Sequence, residues 1–177
     1  MCRWLARHTP EKVLPALHAI ITSIKSEFAD AYSNGGGIYS VGYCFGAKYV
    51  LLLGSALPSS TLSGQQSPEA QAEEGMVHEG PLIKVGAIAH GTQISREEME
   101  QCEVPISIVA VEGDSLFPDE VREAGRKALE AKGAEYEVQV YPDVPHGFAV
   151  LGDYADGKIV EAQSRAFEQM VGWLKGH

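Results

Sequence analysis

Gly42-Tyr43-Cys44-Phe45-Gly46 sets a thiol at the centre of a G-x-nucleophile-x-G spacing. The spacing serves a sharp turn from a strand into a helix. Its glycines leave room for the two backbones to pass close together, and the central side chain stands exposed at the strand's carboxyl end. Residues 38–53, IYSVGYCFGAKYVLLL, read as such a strand, turn and helix. The first free amides of a helix beginning near Phe45 would point at the sulfur, favouring a thiolate and offering donors to a developing oxyanion. A thiol so placed attacks carbonyl carbon. The same five residues also suit a small apolar cysteine packed at a strand end, and both readings stand at this point.

A cysteine nucleophile needs a base for its proton. An imidazole fills that role near neutral pH, and a carboxylate on its far nitrogen fixes the tautomer. Three further residues follow apolar stretches: His90, Asp114 and His146. The order nucleophile, acid, histidine is that of the α/β hydrolases. Asp114 has rivals in Glu112 and Asp119, and it could simply cap a turn before Pro118. His146, between Pro145 and Gly147, also fits an ordinary surface loop. His90 reads as a strand-end or pocket-wall residue and not as the base. His8, His18, His78 and His177 are assigned nothing. Trp4, Trp173, Phe148 and Tyr141 fit packing better than a substrate cage.

The elements that must position these residues follow from periodicity. Val13, Leu14, Leu17, Ile20, Ile21 and Ile24 recur at helical spacing, predicting an amphipathic helix over 10–28 with Thr9 as N-cap and Pro10 at its first position. Asn34-Gly35-Gly36-Gly37 is a loop: it precedes a strand, whereas a phosphate-binding loop opens a helix. Residues 58–80 are polar and aperiodic, predicting a mobile surface loop. Strands are expected at 84–89, 105–111 and 135–141, and helices at 95–101, 118–132 (with Gly133 as stop) and 158–174. Alternating strands and helices predict an α/β fold, a mainly parallel sheet covered on both faces, with its carboxyl ends along one edge.

The 177 residues, 45% hydrophobic, suffice for one domain with a real core. A formal charge of -10 argues against nucleic acid or an anionic membrane as partner. Three cysteines without a C-x-x-C pair suggest neither a disulfide framework nor a zinc site, and fit a reducing, cytoplasmic setting. No apolar run is long enough to span a bilayer, and no signal peptide is evident. No metal cluster or nucleotide fingerprint appears, so no cofactor is expected.

Three stretches together resemble the dienelactone hydrolase family. They are Gly42 to Gly46 with Ala47-Lys48-Tyr49 behind it, Glu112-Gly113-Asp114 followed by Leu116-Phe117-Pro118, and His146-Gly147-Phe148-Ala149-Val150. The resemblance implies an α/β-hydrolase-like sheet, Cys44 as nucleophile, His146 as base, Asp114 as orienting acid and the Phe45 amide as an oxyanion donor. Tyr43, His90, Phe117 and Phe148 would line the pocket, and the substrate would be a small ester or lactone cleaved through a thioester. Two departures accompany it. Members usually carry several strands before the elbow, where one helix is read here. The resemblance therefore implies that N-terminal strands are missing, and with them a second oxyanion donor, a glutamate that contacts the cysteine and a substrate-holding arginine. The family also tends to have an arginine shortly after the histidine, where Val150 and Leu151 stand, which weakens the case for a dicarboxylate-like substrate. An uncovered elbow strand invites pairing, so the expectation is a homodimer through that edge, aggregation, or a chain that is a fragment or shortened gene product. Competing readings are a non-catalytic remnant with a structural or interaction role, and a glutamine amidotransferase-like domain. The latter would want a histidine and a glutamate two residues apart, a pattern absent at His146-Gly147-Phe148.

Overall fold

The computed structural model describes residues 2–58, 61, 78–150 and 152–177. In chain order come α1 (Cys2–Leu5), α2 (Pro10–Glu27), α3 (Ala29–Ser33), β1 (Tyr39–Tyr43), α4 (Phe45–Leu53), β2 (Leu57–Pro58), β3 (His78–Glu79), β4 (Val85–Ala89), α5 (Arg96–Gln101), β5 (Ile106–Val111), α6 (Asp119–Ala131), β6 (Tyr136–Tyr141) and α7 (Gly157–Gly176). Most of the expected loop over 58–80 lies outside the described residues. Its two ends pair as the short antiparallel strands β2 and β3.

Four strands form a parallel sheet in the order β1-β4-β5-β6. The connections after β1, β4 and β5 each return the chain to the edge where the next parallel strand starts, so the carboxyl ends of β1, β4, β5 and β6 lie together. Central strands β4 and β5 are wholly buried, which is why both read as unbroken apolar runs. On one face, Val50 and Leu51 of α4, Leu14 of α2, Met99 of α5 and Leu129 of α6 pack with Ile88, Ile106 and Ile108. On the other, Ala87, Ala89, Val109 and Val111 meet Ala166 and Met170 of α7.

The cover thins at β1. Val41 and Tyr43 pair with Ala87 and Ala89 and so share the α7 face, yet Tyr39, Val41 and Tyr43 are exposed. The stripe expected on α2 is buried only in part: Leu14 and Ile21 are inside, but Ile20 is 54% exposed and Ile24 39%. Thr9 occupies the N-cap of α2 without a capping hydrogen bond from its side chain. Ser95 does cap α5, in a reciprocal box with Glu98. Gly133 ends α6 with φ +68°, a conformation that costs a glycine nothing. No helix among the described residues is long and apolar enough to cross a membrane.

Candidate active site

Where β1 meets α4, Cys44 adopts φ 50° and ψ -115°. This is a sparsely allowed conformation for a residue with a side chain, and it lifts the sulfur clear of the sheet. The turn is held because the Cys44 amide still donates to the Ala89 carbonyl of β4 at 3.1 Å. Gly42 makes the crossing possible: a Cβ there would lie 2.6 Å from the Gly46 carbonyl oxygen and 2.7 Å from Val50 Cγ2. Gly46 differs from expectation, since a Cβ on it would meet nothing within 4 Å. The close approach falls on the first glycine of the motif alone.

Asp114 follows β5 and is buried. Its Oδ1 accepts the Leu116 amide at 2.9 Å, leaving Oδ2 to meet His146 Nδ1 at 2.6 Å. Of its two rivals, Asp119 accepts from the Gly113 amide and pairs with Arg122, and Glu112 is exposed. His146 arrives from the turn after β6 and brings Nε2 to 3.3 Å from Cys44 Sγ. The structure therefore brings Cys44, His146 and Asp114 into one hydrogen-bonded line.

Burial alone would push the Cys44 thiol up, but hydrogen bonds from Thr92 and His146, the charge of His146 and the Phe45 amide outweigh it and hold the thiol below its ordinary range. Burial likewise disfavours charge on His146. The Asp114 hydrogen bond and the partly anionic sulfur overcome that and raise the imidazole above its usual value. The two opposite shifts favour a thiolate beside an imidazolium.

Thr92 is the member that sequence reasoning missed. Its Oγ1 lies 3.2 Å from Cys44 Sγ and 3.4 Å from His146 Nε2, and its amide donates to the Cys44 carbonyl at 3.2 Å. Its signal in the sequence is slight: a hydroxyl residue three positions beyond the end of the strand that pairs with the elbow strand.

His90 directly follows β4 with φ 36° and is 1% exposed. Its ring lies 5.1 Å from that of His146, 5.8 Å from that of Tyr43 and 6.3 Å from that of Phe148. Among the described residues neither ring nitrogen has a hydrogen-bond partner, and burial with the nearby His146 charge depresses its pKa to about 4. It is a neutral wall behind His146. Phe117 and Phe148, which the family resemblance set in the pocket, are 1% and 0% exposed and lie in the core on opposite faces of the sheet. Tyr43 does present surface. With Ala149, Gln163, Ser164 and Phe167 it lines an open cleft of about 520 Å³. Among the described residues no three of His, Cys, Asp and Glu converge in a way that could hold a metal ion.

Residues 74–177, which contain Asp114 and His146, match the profile of the dienelactone hydrolase family. The chain belongs to that family. It is 30% identical over 167 residues to the hydrolase tropI of Talaromyces stipitatus, covering 94% of this chain and 54% of that protein. It is 30% identical over 171 residues to the hydrolase pyvD of Aspergillus violaceofuscus, covering 97% and 58%. The chain thus spans little more than half the length of these two relatives. Its fold is shared with esterase 2 of Thermogutta terrifontis, seen phosphoramylated by tabun, at a TM-score of 0.64 and 15% identity over 94% of this chain and 67% of that one.

Proposed function

We propose that this chain hydrolyses small carboxylic esters or lactones through a thioester on Cys44, with His146 as base and Asp114 as its orienting acid. The observation that carries the proposal is the line Sγ–Nε2 3.3 Å and Nδ1–Oδ2 2.6 Å, built on a cysteine held in a strained elbow. The thiolate attacks the carbonyl carbon, forming the C–S bond while the carbonyl pair moves onto oxygen. The Phe45 amide, at the start of α4 and among the groups that lower the thiol's pKa, is the donor for that oxyanion. Collapse breaks the C–O bond, and His146 Nε2 gives its proton to the departing alkoxide. A water then loses a proton to Nε2 as its oxygen attacks the thioester. The C–S bond breaks, the acid leaves, and the thiolate–imidazolium pair is restored. Ester and water have become acid and alcohol. Asp114 Oδ2 accepts from His146 Nδ1–H, which holds the ring's tautomer and stabilises the imidazolium. The two free cysteines among the described residues accord with a reducing, cytoplasmic location.

The test is turnover of a small activated aryl ester by the purified chain beside Cys44→Ala, with circular dichroism establishing that both are folded. Turnover that disappears in the variant supports the proposal. Equal, negligible rates from two folded proteins would instead favour the second reading, a non-catalytic protein that keeps the arrangement. The observation behind that second reading is the uncovered apolar face of β1.

We also infer a homodimer through that edge. The Cys44 amide points towards β4, so by strand alternation the backbone groups of Tyr39, Val41 and Tyr43 point to the open side. An antiparallel pairing about a two-fold axis at Val41 would match every one of these groups, setting Val41 against itself and Tyr43 against Tyr39 of the partner subunit. The aromatic pair would lie one residue from Cys44. The arrangement is self-complementary in hydrogen bonds and in exposed apolar surface.

A further inference from the structure

We infer that Thr92 is the residue that holds Cys44 as a thiolate, by donating its hydroxyl proton to the sulfur in the resting protein. The inference deepens the hydrolase reading and concerns the state of the nucleophile before any substrate arrives.

Sγ, Nε2 and the Thr92 hydroxyl oxygen form a triangle with sides of 3.3, 3.2 and 3.4 Å. Three centres share only two protons when the sulfur is a thiolate and the ring is an imidazolium. Nε2 then carries its own proton and cannot accept one, so the hydroxyl proton has a single acceptor within reach, the sulfur. Thr92 is 2% exposed, so water does not compete for that proton. A hydrogen bond to an ion in such a setting is stronger than a neutral one. The hydroxyl oxygen keeps its lone pairs towards Nε2–H, and the three groups satisfy one another.

The backbone is built to keep the hydroxyl there. His90 and Gln93, on either side, both have positive φ, at 36° and 56°, so the chain doubles back over Cys44 as it leaves β4. Each arm of that reversal is tied down: His90 N donates to Val109 O at 2.8 Å, Thr92 N to Cys44 O at 3.2 Å, and Gln93 N to Leu116 O at 3.2 Å. Lys48 Nζ donates to the Gln93 carbonyl at 3.0 Å. Two strained residues persist when their surroundings over-determine them, and such strain gathers at functional sites. Here the strain delivers one hydroxyl to one sulfur.

The test is the pH dependence of alkylation by iodoacetamide, read by mass spectrometry on the peptide bearing Cys44, for wild type, Thr92→Val and Thr92→Ser. Valine keeps the shape of threonine and removes the donor; serine restores the donor. The expected result is that Thr92→Val reacts about tenfold more slowly than wild type near pH 6, with the gap closing above about pH 10, where every thiol is ionised. Thr92→Ser should return towards wild type. Superimposable wild-type and Thr92→Val profiles, in proteins that circular dichroism shows to be folded, would overturn the inference. So would a Thr92→Ser profile that follows valine, since the effect would then come from packing. Alkylation needs no ester turnover, so a chain that fails to hydrolyse esters but shows the valine effect would sink the hydrolase reading and leave this inference standing.

Discussion

Asp114 reaches His146 across 32 residues of chain with one oxygen, at 2.6 Å, while its other oxygen is bound to the Leu116 amide of its own loop at 2.9 Å. The carboxylate is therefore fixed before it fixes the ring. Asp114→Asn keeps the shape but sets an amide N–H or a weaker acceptor against Nδ1, which releases the tautomer that leaves Nε2 facing the sulfur. The variant should lose about 10²- to 10⁴-fold in kcat on an aryl ester while remaining folded. A loss below about fivefold would remove Asp114 from the mechanism.

The elbow makes an asymmetric prediction about its two glycines. At Gly42 a methyl group would press on the Gly46 carbonyl and on Val50. Gly42→Ala should cost about 2–4 kcal/mol in urea unfolding, as an overpacked site between two backbones that cannot easily separate. Gly46→Ala meets open space on the first turn of α4 and should be neutral, or stabilising by up to about 1 kcal/mol. Equal costs at the two positions would mean that the strand and helix do not cross as described.

His90 couples the site to acid stability. Its folded pKa of about 4 lies below the ordinary histidine value, so burial keeps it neutral. Its contribution is fully present above the unfolded value and is lost as pH falls from about 6.5 through about 4. His146 has the opposite sign: its raised value favours the folded state at low pH, and that contribution is lost as pH rises through its folded value. Comparing wild type with His90→Phe reads the part that His90 adds, its repulsion with the His146 charge included. Between about pH 7 and pH 4.5, wild type should lose on the order of 2 kcal/mol more unfolding free energy than the phenylalanine variant. Parallel pH profiles would contradict the burial of a neutral imidazole.

If β1 pairs with its own copy, a charge at the two-fold axis should separate the protomers. Val41 is 45% exposed, so Val41→Lys costs the isolated subunit within about 0.5 kcal/mol. In a dimer it would set two ammonium groups against each other on a buried face. Light scattering should give a dimer for wild type and a monomer for the lysine variant. A monomeric wild type would remove the interface.

How much of this was legible in the sequence depended on what each residue required of its neighbours. Cys44, Asp114 and His146 each sit in a short motif after an apolar strand, and parallel topology alone carries strand ends to one edge. The helices at Pro10–Glu27, Arg96–Gln101, Asp119–Ala131 and Gly157–Gly176 were readable because their periodicity runs over several turns or begins at a strong cap. Thr92 was not readable: its hydroxyl reaches the sulfur only because two residues of positive φ fold the loop back, and nothing in the types His90 and Gln93 requires that conformation. Short α1 and α3 carry too few residues for a period. Phe117 and Phe148, set in the pocket by the family resemblance, are both buried in the core, in line with the packing read for Phe148 from its residue type, because proximity to the site in sequence says nothing about which way an aromatic ring turns. Ile20 and Ile24 show the reverse: a stripe of the right period need not find a surface to cover it.

The central claim is that Cys44 forms a thioester, and the direct measurement is intact mass followed by peptide mapping after the protein is mixed with an aryl acetate and quenched in acid within the first turnover. The account predicts one added acetyl group, on the peptide that contains Cys44, decaying as acetate is released and lengthened in life by His146→Ala if any acylation survives that change. Hydrolysis of the ester with no acetyl group on Cys44, or with the label on another residue, would contradict it.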